Sequence, residues 1–157
     1  MLEMHPTGRT PVQLLLVEDM AADVRLTREV LRETGIPHVL HVAHDGDKAM
    51  GMIRDSSLYG GAAHPDLVLL DLNLPGRSGR EVLSEIKKDP QLRRIPVVVL
   101  STSTAEADIV SCYDAHANCY VTKPVELDEF FEFARSLRDF WLRHAVLPTR
   151  LQSVISG

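Results

Sequence analysis

The stretch DLVLLDLNLPGRSG, residues 66–79, decides how this chain is read. An apolar run from Leu67 to Leu70 stops at Asp71, and a Pro75-Gly76 turn follows shortly after. Consecutive apolar residues of this kind suit a strand buried on both faces. The carboxylate at its end has two readings. It is a turn or cap residue, since aspartate is common where strands close, or it is a group displayed at the lip of a loop. The flanking sequence separates the two.

Upstream, VQLLLVED (12–19) is another short apolar run, ending in two acids, Glu18 and Asp19. MAADVRLTREVLRETG (20–35) then takes helical spacing, with Ala22, Leu26, Val30 and Leu31 on one stripe and Gly35 at the C-cap. HVLHVA (38–43) reads as a second strand, and Asp45 caps a short helix over GDKAMGMIRDS. Downstream of the opening stretch, Ser78 caps a helix over 79–89, and VVVL (97–100) is a fourth strand. Residues 104–117 read as a weaker helix and CYVTKP (119–124) holds a brief fifth strand. A long helix fills 125–147, before Pro148. Five strands alternating with helices predict an α/β fold: a five-stranded, doubly wound parallel sheet of flavodoxin-like (βα)5 type with an extended last helix. Residues 12–147 form one domain, with a lead-in over 1–11 and a tail over 148–157.

The bulk properties narrow the function classes. Seventeen basic against 22 acidic residues give a net charge of −5. The short pairs Lys87-Lys88 and Arg93-Arg94 read as solvated faces, so direct nucleic-acid binding is not expected. No apolar run is long enough to span a bilayer, and the N-terminus lacks a signal-peptide core. Cys112 and Cys119 make no disulfide framework and read as small packing residues of a cytoplasmic protein.

In an open parallel sheet, chemistry collects at the carboxyl ends of the strands. Those ends here carry Glu18 and Asp19, then Asp71, then Ser101, then Thr122-Lys123-Pro124. Helix capping accounts for one acid after the first strand. It does not account for two acids there, a third on another strand, and a lysine facing them. Converging carboxylates repel, and burying them requires a compensating cation. Oxygen donors with few other ligand types suit Mg²⁺.

In this order, LLLVEDM, LLDLNLPGRSG, VVVLSTS and YVTKP resemble the strand ends of the CheY-like receiver domain of response regulators. The resemblance covers roughly residues 12–143. It implies that Asp71 is the phosphoacceptor. Glu18 and Asp19 would hold Mg²⁺ with Asp71 and the backbone carbonyl of Asn73. Ser101 and Lys123 would contact the phosphoryl oxygens, Tyr120 would be the switch aromatic, and the Lys123–Pro124 bond would be cis. Met20 stands where relatives often carry a polar residue, and Thr102 where they often carry a smaller one. Both bear on the lifetime of a phosphorylated state.

Residues 148–157 are too few for an output domain, so output through binding is expected. On the last helix, Leu127, Phe130, Phe131, Ala134, Leu137, Trp141 and Ala145 form a core stripe. Phe133 and Phe140 lie to its side, as a wide core face or as a partner patch. The segment from Ser103 to the end of this helix also resembles the single-domain regulators that serve bacterial and cyanobacterial phytochromes. That resemblance implies a sensor histidine kinase partner, with a bacteriophytochrome as candidate. It also implies a homodimer through the fourth helix, fifth strand and last helix. Ala22, Val24, Arg25 and Arg28 on the first helix are candidates for kinase contact. Two other readings stand beside this one. A haloacid-dehalogenase-like phosphatase would want an acid at position 73, where the chain has Asn73. A pseudo-receiver would bind partners without phosphorylation, although the core residues are all present.

Overall fold

In the computed structural model, residues 10–151 are described. Most of the expected lead-in and tail therefore lie outside the described residues. The strands are β1 (Val12–Val17), β2 (His38–Ala43), β3 (Leu67–Asp71), β4 (Val97–Ser101) and β5 (Cys119–Thr122). The helices are α1 (Ala21–Glu33), α2 (Gly46–Arg54), α3 (Gly79–Lys88), α4 (Glu106–Asp114) and α5 (Leu127–Leu137). The sheet is parallel throughout, in the order β2-β1-β3-β4-β5.

This order explains the hydrophobic runs. β1, β3 and β4 are interior and buried along their whole length, whereas β2 and β5 are edges and half-buried. Successive side chains alternate between the two faces. Leu15, Val17, Val68, Leu70, Val97 and Val99 pack with α2 and α3, through Met50, Ile53, Val82 and Ile86. Leu14, Leu16, Leu67, Leu69, Val98 and Leu100 face the other way, onto Val24 and Leu31 of α1 and Leu137 of α5.

Local signals set the helix ends. Asp45 accepts a hydrogen bond from the Lys48 backbone N–H at 2.7 Å and starts α2, and Ser78 accepts from Glu81 at 3.3 Å and starts α3. Gly35, with φ of 73°, turns the chain out of α1. The α1 stripe differs from expectation. Val24, Thr27, Val30 and Leu31 are buried and Ala22 is exposed, because the sheet meets the helix a fraction of a turn away from the apolar stripe. α4 is shorter than expected, and just past its end His116 takes a left-handed φ of 70°.

The last helix also departs from a uniform α-helix. From Arg138 to His144 it widens into a π-helical turn, closed by the Ala145 N–H donating to the Phe140 carbonyl at 2.7 Å. The wider turn seats Trp141, Leu142 and Ala145 against the α1/α5 side of the core and leaves Phe140 outside. Leu127, expected in the stripe, is exposed because the sheet has ended before α5 begins there. No helix among the described residues is long and apolar enough to cross a membrane.

Candidate functional site

Parallel pairing brings the strand ends level. Asp71 is in register with Leu100 and Ser101 with Thr122, so Asp71, Ser101 and Lys123 reach one rim from three neighbouring strands. Glu18 arrives from β1, where its backbone N–H donates to Ala43 at 3.0 Å. Glu18 and Asp71 are buried, with relative exposures of 2% and 7%, and Asp19 beside them is exposed. One carboxylate oxygen from each of these three residues lies within 4.8 Å of the others.

Lys123 is the cation in this cluster. Its ammonium donates to Glu18 Oε1, lies 2.7 Å from Asp23 Oδ2, and reaches Asp71 Oδ2 at 3.5 Å. Burial works against its charge, but the hydrogen bonds to Asp23 and Glu18, with the Asp71 charge, outweigh it and hold Lys123 above its ordinary pKa. Asp71 Oδ1 accepts the Asn73 backbone N–H at 3.0 Å.

One ammonium does not satisfy three neighbouring acids. Glu18 Oε2 is buried and has no hydrogen-bond partner among the described residues. Burial and the adjacent Asp71 push the Glu18 carboxyl up to about 8, against the opposing pull of Lys123. An orphaned, buried oxygen among carboxylates fits a hard divalent cation such as Mg²⁺, which takes oxygen ligands and offsets their mutual repulsion. Glu18, Asp19 and Asp71 are the residues that would hold it.

The groups around the cluster are also fixed. Gly79 at the start of α3 comes so close that a Cβ there would lie 2.2 Å from the Asp71 carbonyl oxygen. Gly76 takes a φ of 70° that L side chains rarely adopt. Ser101 is buried and its hydroxyl accepts the Ser103 N–H at 3.1 Å. Tyr120 is half-buried against the α2/α3 side of the core and donates its hydroxyl to the Ser103 carbonyl at 2.7 Å. Ser101 and Tyr120 thus hold the same β4–α4 loop. An open cleft of about 500 Å³ lies over the rim, bordered by Asp19, Met20, Asp71, Thr102 and Lys123.

Three expectations are corrected. The Lys123–Pro124 bond is trans, and no peptide among the described residues is cis. Trans is the lower-energy isomer by about 0.5–1 kcal/mol, and the Lys123 N–H still reaches the Ser101 carbonyl at 2.7 Å. Of the two aromatics expected beside the core stripe, Phe133 is half-buried against the α1/α5 side of the core, and Phe140, 59% exposed, is the one that stands out. Val24 is buried and cannot belong to a kinase-facing surface, whereas Ala22, Arg25 and Arg28 are exposed. The sequence reading also missed a residue of the site. Asp23 in the first turn of α1 touches Lys123, but by spacing alone it looks like an acid placed for the helix dipole.

Comparison with known proteins agrees with this geometry. Residues 14–135 match the response regulator receiver domain family. The chain is 46% identical over 145 residues to the response regulator Rcp1 of Synechocystis sp., covering 92% of this chain and 99% of that one. Its fold is similar to the phosphorylated cyanobacterial phytochrome response regulator RcpA, with a TM-score of 0.81 and 50% identity over 88% of this chain and 99% of that one. It is also similar to the Mn²⁺-bound form of Rcp1, with a TM-score of 0.79 and 47% identity over the same shares. With its five-stranded parallel sheet and its strand-end acids, this chain belongs to the response regulator receiver domain family.

Proposed function

We propose that this chain is a phosphoryl-accepting response regulator in which Asp71 takes the phosphoryl group from a sensor histidine kinase in a Mg²⁺-dependent reaction. The observation that carries the reading is the half-satisfied rim: Asp71 beside Glu18 and Asp19, one lysine, and a buried Glu18 oxygen without a partner. A carboxylate oxygen of Asp71 attacks phosphorus; the new O–P bond forms as the bond to the donor nitrogen or oxygen breaks. Such transfers need mainly positioning and charge neutralisation. Bound Mg²⁺ supplies part of that neutralising charge. Lys123 supplies the rest from the β5 side, and Ser101 offers a hydroxyl to the phosphoryl oxygens. The Asn73 N–H orients the Asp71 carboxylate, and the Asn73 carbonyl is proposed as a further metal ligand. Met20 and Thr102, both exposed at the cleft, stand where a hydrolytic water would enter.

The unit so defined is residues 12–147, working as a cytoplasmic signalling protein rather than an enzyme with a small-molecule substrate. Ser101 moving toward the phosphoryl group would strain the loop that Tyr120 holds, which links the rim to the α4–β5–α5 face. That face carries the exposed Val110, Tyr113 and Phe140 and is proposed as a homodimer surface. The kinase would dock on Ala22, Arg25 and Arg28 beside the rim. A phytochrome kinase is favoured by the similarity to Rcp1 and RcpA.

The test is the intact mass after incubation with acetyl phosphate. Addition of one phosphoryl group to wild type with Mg²⁺, and none to Asp71→Asn or without Mg²⁺, is expected. Equal labelling of the Asp71→Asn protein would overturn the assignment.

A further inference from the structure

Asp23 has no part in the reaction proposed above, yet it makes one of the shortest contacts to Lys123. Its Oδ2 lies 2.7 Å from Lys123 Nζ, whereas Asp71 Oδ2 is 3.5 Å away, at the outer limit of a hydrogen bond. An acid in the first turn of a helix ordinarily complements the helix dipole, and that would be a sufficient account of an isolated Asp23. It does not account for a contact with a residue exactly one hundred positions later. The pair bridges the start of α1 to the end of β5, and the Lys123 side chain is only 10% exposed. In this structure the ammonium therefore sits on the α1 side of the rim, held by Glu18 and Asp23, and only grazes Asp71.

A phosphoryl group on Asp71 would need that same ammonium. Glu18 and Asp71 have their own place in the acidic triad, and Asp23 lies outside it. We infer that Asp23 is a positioning residue that acts through Lys123: it holds the ammonium on the α1 side in the unphosphorylated protein and competes with a phosphoryl group on Asp71 for it. Asp23 thereby weakens the hold of the site on its phosphoryl group and sets a lower occupancy at a given donor supply. This inference rests on Asp71 being the phosphoacceptor.

Beryllofluoride, a phosphoryl analogue that adds to an aspartate, tests it at saturating Mg²⁺ by titration calorimetry. Asp23→Asn is expected to tighten beryllofluoride about three- to tenfold, the range for loss of one competing, partly screened charge contact, and Asp23→Glu to return it toward the wild-type value. In a Lys123→Met background, Asp23→Asn should change nothing, because the competition has lost its object. Unchanged or weaker binding by Asp23→Asn overturns the inference, and so does equal tightening in the Lys123→Met background, which would make Asp23 a distant charge only. A metal-free readout runs in parallel. The ¹⁵N resonance of the Lys123 ammonium should shift, and its protons exchange faster, in Asp23→Asn, and an unmoved resonance contradicts the contact. Wild type that binds no beryllofluoride while keeping the Lys123–Asp23 signature would instead overturn the phosphoacceptor reading, and this inference with it.

Discussion

The two ends of the sheet treat buried charge in opposite ways. At the amino end, the buried side-chain polar groups of the described residues are matched. Lys87, at the close of α3, donates to the Arg93 carbonyl at 3.0 Å, the Ile95 carbonyl at 2.8 Å and Asn118 Oδ1 at 3.0 Å. Asn118 Oδ1 also accepts the Val97 N–H at 2.9 Å. Asp66, buried before β3, accepts the Gln13 N–H at 2.7 Å and the Thr149 hydroxyl. These contacts tie strand starts and loops together and leave no demand for a ligand. At the carboxyl end, Glu18, Asp23 and Asp71 share one ammonium, Asp19 lies beside Glu18 and Asp71, and Glu18 Oε2 goes unmatched. A buried polar group that is fully bonded stabilises a fold, whereas one left wanting marks a place where something else binds.

Substitutions at either end break that contrast. The carboxyl end is loose in charge but tight in packing at Gly79. Gly79→Ala should cost about 3 kcal/mol, since the new methyl meets backbone atoms that cannot move aside. Chemical denaturation reads it, and a loss below about 1 kcal/mol would mean the loop gives way easily. Lys87→Met keeps the stem and removes three bonded donors. It should cost about 2 kcal/mol and leave Mg²⁺ affinity unchanged, which denaturation and calorimetry read together.

Next comes pH. The proposed metal site needs Glu18 ionised, and burial with the adjacent Asp71 holds its carboxyl up to about 8 in the metal-free protein. Mg²⁺ affinity should therefore rise about tenfold per pH unit on approaching 8 and flatten above it, with one proton released per ion bound. The same shift has a stability sign. Between the ordinary carboxyl range and 8 the metal-free folded state holds a proton that the unfolded chain does not. Its stability thus falls as pH rises through that window. A flat affinity profile would place the ion away from Glu18. The smallest effect belongs to Asp71→Asn, which removes one of the repelling charges. The metal-free variant should be about 1 kcal/mol more stable than wild type above pH 8, where Glu18 is ionised, read from denaturation midpoints.

The sequence carries this contrast unevenly. β1, β3 and β4 are legible because interior strands of a parallel sheet are apolar along their length, so the polar residue that closes each run is conspicuous. Glu18, Asp19, Asp71 and Ser101 are found that way, whereas Lys123 follows the half-buried edge strand β5 and is found from its place in the order of strand ends. Asp23 is not, because its role depends on how close α1 comes to β5 and not on any local pattern. The amino end is illegible for the same reason. Lys87-Lys88 looks like a solvated pair, yet Lys88 is exposed and Lys87 is half-buried among carbonyls, with burial pulling its pKa down to about 8. The π-helical turn after α5 leaves no mark in the spacing of aromatic residues: Phe133 packs inward from the regular part of α5, and Phe140, seven residues on, is left outside by the widened turn.

The carboxyl end of the sheet is proposed to bind a cation, and the amino end is not. Thermal unfolding with and without millimolar Mg²⁺ separates the two ends, on wild type, Glu18→Gln and Lys87→Met. Mg²⁺ should raise the midpoint of wild type and of Lys87→Met by the same amount, and that of Glu18→Gln much less. Equal stabilisation of all three would put the ion elsewhere, and no stabilisation of wild type would contradict the account.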